Sequence, residues 1–186
     1  MSAATPPPSA RQTELLERSY RYVLERGLGE LSLRPLAAAI GSSPGVLLFL
    51  FGSKDGLVRA LLARARADEL AVLQRIRQAG AGRGLPAAAL AVWDWLVAAE
   101  HRALLTLWLE AYARSLAEPA GPWAGFAADT VRDWMAVLGE LDPASDEQER
   151  TLLLAVLRGG LLDLLATGDV ERCGAAVRRH LAALSS

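Results

Sequence analysis

The chain has 186 residues, 52% of them hydrophobic, and a formal net charge of −1 at neutral pH. Charged side chains interrupt its apolar runs every few residues, and none reaches the ~20 residues that span a bilayer, which argues against a membrane protein. The single cysteine, Cys173, excludes an internal disulfide bond and a metal site built from cysteines alone, so we expect a reducing, cytoplasmic environment.

The charge is distributed unevenly along the chain. Residues 1–66 hold nine Lys or Arg against five Asp or Glu, whereas residues 67–186 hold eleven against sixteen. A basic N-terminal part on an acidic remainder favours contact with a polyanion, because neutralised phosphates supply most of the non-specific affinity for DNA.

Apolar residues recur three and four apart among good helix formers, which predicts an all-α fold. Residues 1–10, which include three consecutive prolines, are predicted to be a disordered leader. Ser9 and Gln12 have the spacing of a capping box at the start of helix one, which Gly27 is predicted to end.

Two short helices are predicted next. Ser32 is expected to cap helix two, which Gly41 ends. Ser43 followed by Pro44 predicts the start of helix three, which continues to about Phe51. Because so few residues separate the two helices, they must cross at a steep angle.

A long amphipathic helix over residues 55–79 is predicted to connect an N-terminal head, residues 11–54, with a C-terminal body, residues 55–186. The body is predicted to contain helices at 86–99, 101–118, 122–140, 146–167 and 170–184, separated by Gly, Pro and Asp clusters. The whole chain should therefore contain about nine to ten helices.

The three short helices of the head predict a helix-turn-helix arrangement, whose third helix would enter the major groove of DNA. Here the sequence resembles the tetracycline-repressor (TetR) family over residues 13–62. Four elements carry the resemblance: Glu25-Arg26-Gly27, Ser32-Leu33-Arg34, Gly41-Ser42-Ser43 and Phe51-Gly52-Ser53-Lys54. The resemblance implies a two-fold homodimer that binds double-stranded DNA through its heads and a small-molecule effector in its bodies.

The resemblance also implies which head residues meet DNA. Ser32 and Lys54 would lie against phosphates, where a point charge and free amides at helix starts hold anions. The residues expected to approach the groove are Arg34, Ser42, Ser43, Pro44, Gly45, Val46, Leu48 and Phe49.

Helix three departs from the family pattern. The family usually carries Tyr and often His here, whereas this chain reads Leu47-Leu48-Phe49-Leu50-Phe51. Leu47 and Phe51, four apart, should pack into the core of the head. Some of the three residues between them must then be exposed, where they can contact thymine methyl groups or another protein surface.

Bulky aromatic residues in the body predict an effector pocket, since small-ligand pockets combine apolar walls with few polar groups. In proteins that resemble the TetR family, the helices that carry these residues surround such a pocket. The candidates for lining it are Trp93, His101, Leu104, Trp108, Tyr112 and Trp134. The alternative is that this aromatic stripe is ordinary core and that His101 is a partly exposed residue at a helix start.

The helix at 146–167 is predicted to pair with a second copy of the chain. Its two central glycines each cost about 1 kcal/mol against Ala in a helix interior, so close approach of another helix should offset them. The resemblance implies a four-helix bundle built from the last two long helices of each copy. The candidate interface residues are Val156, Leu157, Gly159, Gly160 and Leu164, and a monomeric bundle remains the alternative.

The sequence carries no arrangement typical of catalysis, phosphate cradling or metal binding, so we expect no enzyme activity, cofactor or metal. Glu110 and Arg114 have the spacing of an ordinary helical ion pair. The favoured hypothesis is a regulator, by default a repressor that a small, mostly apolar effector releases from a palindromic operator. Two alternatives stay open: a dimeric module whose apolar third helix binds protein, and a helical enzyme that uses the body cavity.

Overall fold

The computed structural model describes residues 9–29, 31–80 and 84–183 of the chain. Within these ranges the protein is all-α, as predicted, and contains no strand. A 3-10 helix (Ala99–His101) precedes α6. The α-helices are α1 (Ala10–Arg26), α2 (Leu33–Ala39), α3 (Pro44–Phe51), α4 (Lys54–Gly80), α5 (Gly84–Val97), α6 (Arg102–Ala117), α7 (Phe126–Leu141), α8 (Glu147–Thr167) and α9 (Val170–Ala183).

The first helix begins within the predicted leader. Ser9 caps α1 through a hydrogen bond from Gln12 N to Ser9 Oγ at 3.2 Å, and Ala10 is already helical. The rest of the predicted leader, residues 1–8, lies outside the described residues. The predicted capping box is wrong, because Gln12 Nε2 donates instead to Leu50 O at the end of α3, at 3.0 Å. The last carbonyls of a helix lack partners within it, and Gln12 satisfies one of them across the head.

The other predicted helix starts differ in their side-chain bonds. Val46 N donates to Ser43 Oγ at 3.3 Å, and Gly56 N donates to Ser53 Oγ at 2.9 Å. Ser32 occupies the N-cap position of α2, but its side chain makes no capping hydrogen bond, contrary to the prediction. The Ser32 hydroxyl therefore contributes nothing to the start of α2.

This difference predicts unequal effects on stability. Ser43→Ala should lower the free energy of unfolding by about 1 kcal/mol, because it leaves the Val46 amide without its capping acceptor. Ser32→Ala is the matched control and should change stability by well under half as much. Urea denaturation of the two variants without DNA measures both, and equal losses would contradict the assignment.

Two hydrophobic cores share α4. Leu57 and Leu61, in its N-terminal half, pack in a head core with residues of α1, α2 and α3. Leu73 and Ile76, in its C-terminal half, pack in a body core with residues of α5, α7, α8 and α9. One continuous helix therefore carries side chains of both cores, and a displacement of α4 in the body reaches the head.

The helix predicted at 122–140 begins later, at Phe126. The residues before it form turns, closed by hydrogen bonds from Ala124 N to Gly121 O and from Phe126 N to Trp123 O, both 3.1 Å. These turns place Trp123 and Phe126 in the head core. The body thus supplies part of the packing that holds the head.

Burial within the protomer corrects part of the predicted dimer interface. Leu157 and Leu164 are buried in the body core. A Cβ on Gly160 would lie 2.9 Å from both Trp93 and Val177, so this glycine lets α8 approach α5 and α9 of the same chain. The close helix approach predicted at Gly160 is real, but it is intramolecular.

The other two predicted interface residues, Gly159 and Val156, are less buried. A Cβ on Gly159 would meet no atom within 4 Å among the described residues, and Val156 is half-buried. Gly159 therefore remains open to a partner, whereas Val156 also packs against the body core.

In the described ranges, no single helix is long and apolar enough to cross a membrane. The pair α2 and α3 passes the same test of length and composition only when taken together, and it is bent by 103°.

Candidate nucleic-acid interface and body cavity

The α2–α3 turn sets the direction of α3. Gly41 adopts a φ of 67°, a conformation that favours glycine, and Ser42 N donates to Ala37 O at 2.8 Å to close the end of α2. The resulting bend of 103° lies in the range of helix-turn-helix motifs. The local chemistry of one glycine therefore aims α3 across the head, as predicted.

One side of α3 holds it in the head. Leu47 is only 1% exposed, and Leu50 and Phe51 pack against the same core. The opposite side is open to solvent at Val46, Leu48 and Phe49, and Phe49 is 86% exposed. This exposed side is the face of α3 that a DNA groove can reach.

Most of the candidate DNA-contacting residues are exposed to solvent. Pro44 is half-buried, and the exposed members are Ser32, Arg34, Ser43, Gly45, Val46, Leu48, Phe49 and Lys54. Ser42 is the exception, because its Oγ is buried and has no hydrogen-bond partner among the described residues. The turn directs this hydroxyl inward, so Ser42 could offer DNA only its backbone.

The surroundings of α3 are basic. From Leu31 to Lys54 the sequence contains no Asp or Glu. Arg34 and Lys54 are exposed and take part in none of the ion pairs found in the described ranges. Both cations are therefore available to phosphates.

A cavity lies in the body among five helices. Its walls are mostly apolar, with three tryptophans and two charged residues. The lining residues are Ala65 and Glu69 of α4, Val92, Trp95 and Leu96 of α5, Leu104, Leu105 and Trp108 of α6, Trp134 of α7, and Leu154, Leu157, Arg158 and Leu161 of α8. An apolar chamber with a few polar groups is typical of small-molecule sites.

Three of the six candidate pocket residues line this cavity, namely Leu104, Trp108 and Trp134. The other three do not, because each packs against a neighbour behind or beside the wall. Trp93 is fully buried against Gly160. His101 stacks on Trp95 with ring centroids 4.1 Å apart, and its Nδ1–H donates to Trp95 O at 2.8 Å. Tyr112 packs against Trp108 at 5.1 Å.

The sequence interpretation missed Trp95, Glu69 and Arg158 as cavity residues. A signal for the two charged residues was present, since Glu69 follows Ala65 by four positions and Arg158 stands between Leu157 and Leu161. Each is a charged residue at a helical position where the spacing favours an apolar one. Charged residues are rarely buried at such positions unless they have a partner or a function.

Glu69 is the buried acid of the cavity. It is 9% exposed, and Trp134 Nε1 donates to its Oε1 at 2.7 Å. Its Oε2 is buried and has no hydrogen-bond partner among the described residues. Desolvation raises the pKa of the Glu69 carboxyl, while the Trp134 hydrogen bond and the charge of Arg66 oppose the rise. Glu69 therefore presents an unused acceptor to the cavity.

Arg158 is the half-buried base of the cavity. Its guanidinium lies over the rings of Trp108, at 5.7 Å, and Tyr112, at 5.2 Å, and Nη1 donates to Tyr112 Oη at 3.4 Å. Burial lowers the pKa of Arg158. Its Nη2 is buried without a partner in the described part of the chain, so the cavity also offers an unused donor.

Helix α6 contacts both the cavity and the head. Leu104, Leu105 and Trp108 line the cavity, and Glu110 follows within one turn. Leu28 N, just after α1, donates to Glu110 Oε2 at 2.7 Å. The ion pair expected from spacing exists, with Arg114 Nε 3.9 Å from Glu110 Oε1, but Glu110 also binds the head.

A second contact reinforces the first. Arg114 Nη2 donates to Gly29 O at 3.3 Å, so the same segment after α1 is bonded to α6 twice. A displacement of α6 at the cavity would therefore be felt directly where α1 ends.

The described residues contain no group of three or more His, Cys, Asp or Glu arranged to hold a metal ion.

Comparison with known proteins identifies the head. Residues 15–61 match the family model described as bacterial regulatory proteins, tetR family. The matched segment runs from α1 through α2 and α3 into α4, which are the elements that build the exposed face described above. No curated protein sequence matches the chain significantly.

Several solved structures share the whole fold. The multidrug binding protein EbrR, solved in complex with proflavin, is 26% identical with a TM-score of 0.65, covering 91% of this chain and 98% of that one. Salmonella enterica GusR is 22% identical with a TM-score of 0.70, covering 98% of both chains.

A TetR-like transcriptional regulator from Rhodococcus sp. RHA1 is 20% identical with a TM-score of 0.62, covering 96% of this chain and 99% of that one. The head, with its helix-turn-helix, thus matches the tetR family model, and the chain as a whole shares its fold with these solved structures.

Proposed function

We propose that this protein is a ligand-responsive repressor whose dimer binds a palindromic operator through its two α3 helices and releases it when an effector fills the body cavity. The observation that carries the proposal is the position of α6. One part of α6 lines the cavity, and Glu110 and Arg114 on the same helix hold the end of α1. An effector needs only a different affinity for the two states of this connection to change operator binding.

The cavity indicates the class of effector. Trp95, Trp108 and Trp134 favour a small, mostly apolar and planar molecule. The unpaired Glu69 Oε2 favours a hydrogen-bond donor or a positive charge at one end, and the unpaired Arg158 Nη2 favours an acceptor. Proflavin, a planar aromatic cation with amino groups, meets the first two requirements, and EbrR binds it.

We propose that the dimer forms through an apolar stripe on the outer face of α8. This stripe takes the place of Leu157, Gly160 and Leu164 in the predicted interface, because these three residues pack within the protomer. The stripe consists of exposed residues at alternating spacings of three and four: Leu152, Ala155, Gly159, Leu162 and Ala166. This spacing is that of paired helices, and small residues between leucines permit close approach. Two heads related by this pairing would reach half-sites about one DNA turn, ~34 Å, apart.

The proposal is tested by selecting bound sequences from a random duplex pool at ~150 mM salt. We expect a palindromic motif, and Lys54→Ala should weaken binding to every sequence to a similar degree and reduce the salt dependence, because Lys54 meets phosphate and not a base.

Asp55→Asn, at the neighbouring exposed position, is the matched control and should not weaken binding. A pool that yields no motif would refute operator binding. The remaining alternative would be that the exposed face of α3 binds another protein, which the 86% exposure of Phe49 favours.

Glu69→Gln should weaken proflavin binding by about tenfold, because the variant loses a charge-assisted hydrogen bond to the dye. Since burial raises the pKa of Glu69, the wild-type affinity should fall as the pH is lowered through that raised pKa. The affinity of the Gln variant should stay flat over the same range. Fluorescence titration across a pH series measures both.

Glu69→Gln should stabilise the fold even though it weakens dye binding. A carboxyl whose pKa is raised by burial destabilises the fold wherever it is ionised, so Glu69→Gln should raise the melting temperature at neutral pH. The gain should vanish at acid pH, where Glu69 itself is neutral.

The control for the dye-binding experiment is Glu140→Gln, at an exposed carboxylate that pairs with Arg77. It should alter neither dye binding nor its pH dependence.

A further inference from the structure

The exposed face of α3 carries no polar side chain. Every residue from Pro44 to Phe51 is apolar or glycine. Ser43, the nearest hydroxyl, already accepts the capping hydrogen bond from Val46 N. The side chains of α3 therefore have no donor or acceptor with which to bind the polar edges of bases, which is the usual means of direct recognition in the major groove.

The exposure of Phe49 is not explained by packing. Leu47, Leu50 and Phe51 supply the contacts of α3 with the head core, and they occupy the side of the helix away from Phe49. At 86%, Phe49 is the most exposed large hydrophobic residue in the described part of the chain. Val46, three residues earlier, is exposed on the same face, so the two form one apolar surface.

The charges around this surface favour DNA over an apolar protein partner. Arg34 lies on α2 and Lys54 begins α4, so one cation precedes α3 in the chain and the other follows it, and both are exposed without ion-pair partners among the described residues. No acid lies between Leu31 and Lys54 in the sequence. Cations beside an apolar centre match the layout of a major groove, where phosphates border the base edges. The thymine C5-methyl is the one apolar group that unmodified base pairs present there.

We propose that α3 recognises thymine through its methyl group, with Phe49 as the principal specificity residue and Val46 beside it. This inference rests on the proposed operator binding and adds the chemistry by which the operator is read. Each half-site should then contain at least one thymine whose methyl group packs against Phe49. The operator should be specified by apolar contact and not by hydrogen bonds from α3.

The test replaces thymidine by deoxyuridine in the selected operator, one position at a time. Deoxyuridine pairs with adenine as thymidine does and lacks only the C5-methyl. We expect about fourfold weaker binding for each critical methyl removed, and about 15-fold when the symmetric positions of both half-sites are changed together. Fluorescence anisotropy with labelled duplexes measures the affinities.

Phe49→Ala identifies the residue responsible. This variant should bind the thymidine operator more weakly than wild type and should no longer distinguish it from the deoxyuridine operator. Lys54→Ala should weaken binding to both duplexes equally and keep the discrimination. Leu116→Ala, at an exposed apolar residue near the end of α6, should change neither the affinity nor the discrimination. Because Phe49 lies outside the core, its replacement should leave the melting temperature unchanged.

The outcomes separate this inference from the function on which it rests. A selected motif that binds equally well in both forms would overturn thymine recognition alone. Undiminished discrimination in Phe49→Ala would overturn the role of Phe49. A pool without any enriched motif would overturn operator binding and thymine recognition together.

Discussion

Leu162→Glu is expected to convert the dimer to a monomer and to lower operator affinity by about 100-fold. The side chain stands in the α8 apolar stripe and is exposed in the protomer, so the substitution leaves the fold intact. In the dimer it would bury a carboxylate in an apolar contact, which costs several kcal/mol unless the charge is paired. A monomer engages one half-site and loses the gain from linking two heads.

Sedimentation measures the oligomeric state of this variant, and anisotropy on the selected operator measures its affinity. Leu116→Glu is the matched control, because Leu116 is 68% exposed but lies on α6, away from the stripe. It should remain dimeric and bind normally. A Leu162→Glu protein that stays dimeric would show that α8 pairs through another face or not at all.

Glu110→Ala is expected to leave effector binding intact while abolishing the effect of the effector on operator affinity. The Glu110 carboxylate accepts from Leu28 N at 2.7 Å, and without it α6 loses its shortest hydrogen bond to the head. Couplings between sites in switching proteins are typically about 1–3 kcal/mol, or roughly 5- to 150-fold in affinity. In Glu110→Ala we expect the ratio of operator affinities with and without effector to fall close to one.

Operator affinity measured with and without proflavin gives this factor directly. Glu118→Ala removes the acid that directly follows α6 and also pairs with Arg114, at 3.3 Å. It leaves the Leu28 hydrogen bond in place and should retain the coupling. Glu110→Gln keeps an acceptor oxygen and should retain part of it. If Glu110→Ala keeps the full response, the signal reaches the head through α4 instead.

The path through α4 has its own anchors in the head. Tyr20 Oη donates to Asp68 Oδ2 at 2.9 Å, and Arg64 Nε donates to Glu17 Oε1 at 2.6 Å, so α1 is fixed to the middle of α4. Glu69, which lines the cavity, follows Asp68 directly. The two paths diverge at the cavity and meet again at α1, and the Glu110 variants distinguish them.

Local chemistry made the head predictable from sequence. A serine before a proline, a glycine that takes a positive φ, and apolar residues three and four apart each act over a few residues. They predicted the start of α3, its steep angle to α2 and the burial of Leu47 without reference to the rest of the chain. The exposure of part of the segment from Leu48 to Leu50 followed as well, because a short helix cannot bury every side.

The cavity was only partly predictable. The spacing of Leu104 and Trp108 marked one helical face correctly, but the same pattern included Tyr112, which packs beside the cavity. Trp93 was predicted to line the cavity and Trp95 was not, whereas Trp95 lies in the wall and Trp93 is buried elsewhere in the core. The two side chains, two residues apart on α5, face different neighbours. Which of them faces a void depends on where α6 and α8 lie, and that information is not local.

The sequence by itself determined an all-α chain with a helix-turn-helix head, its helix starts and an apolar α3, because caps, turns and helical periodicity are short-range. Only the tertiary structure decided which face of α8 is core and which is open, since leucines cover more than one side of that helix. It likewise decided that Glu69 is buried beside Trp134 and that Glu110 binds the head. Those contacts join residues 65 and 82 positions apart, and their geometry arises from the packing of whole helices.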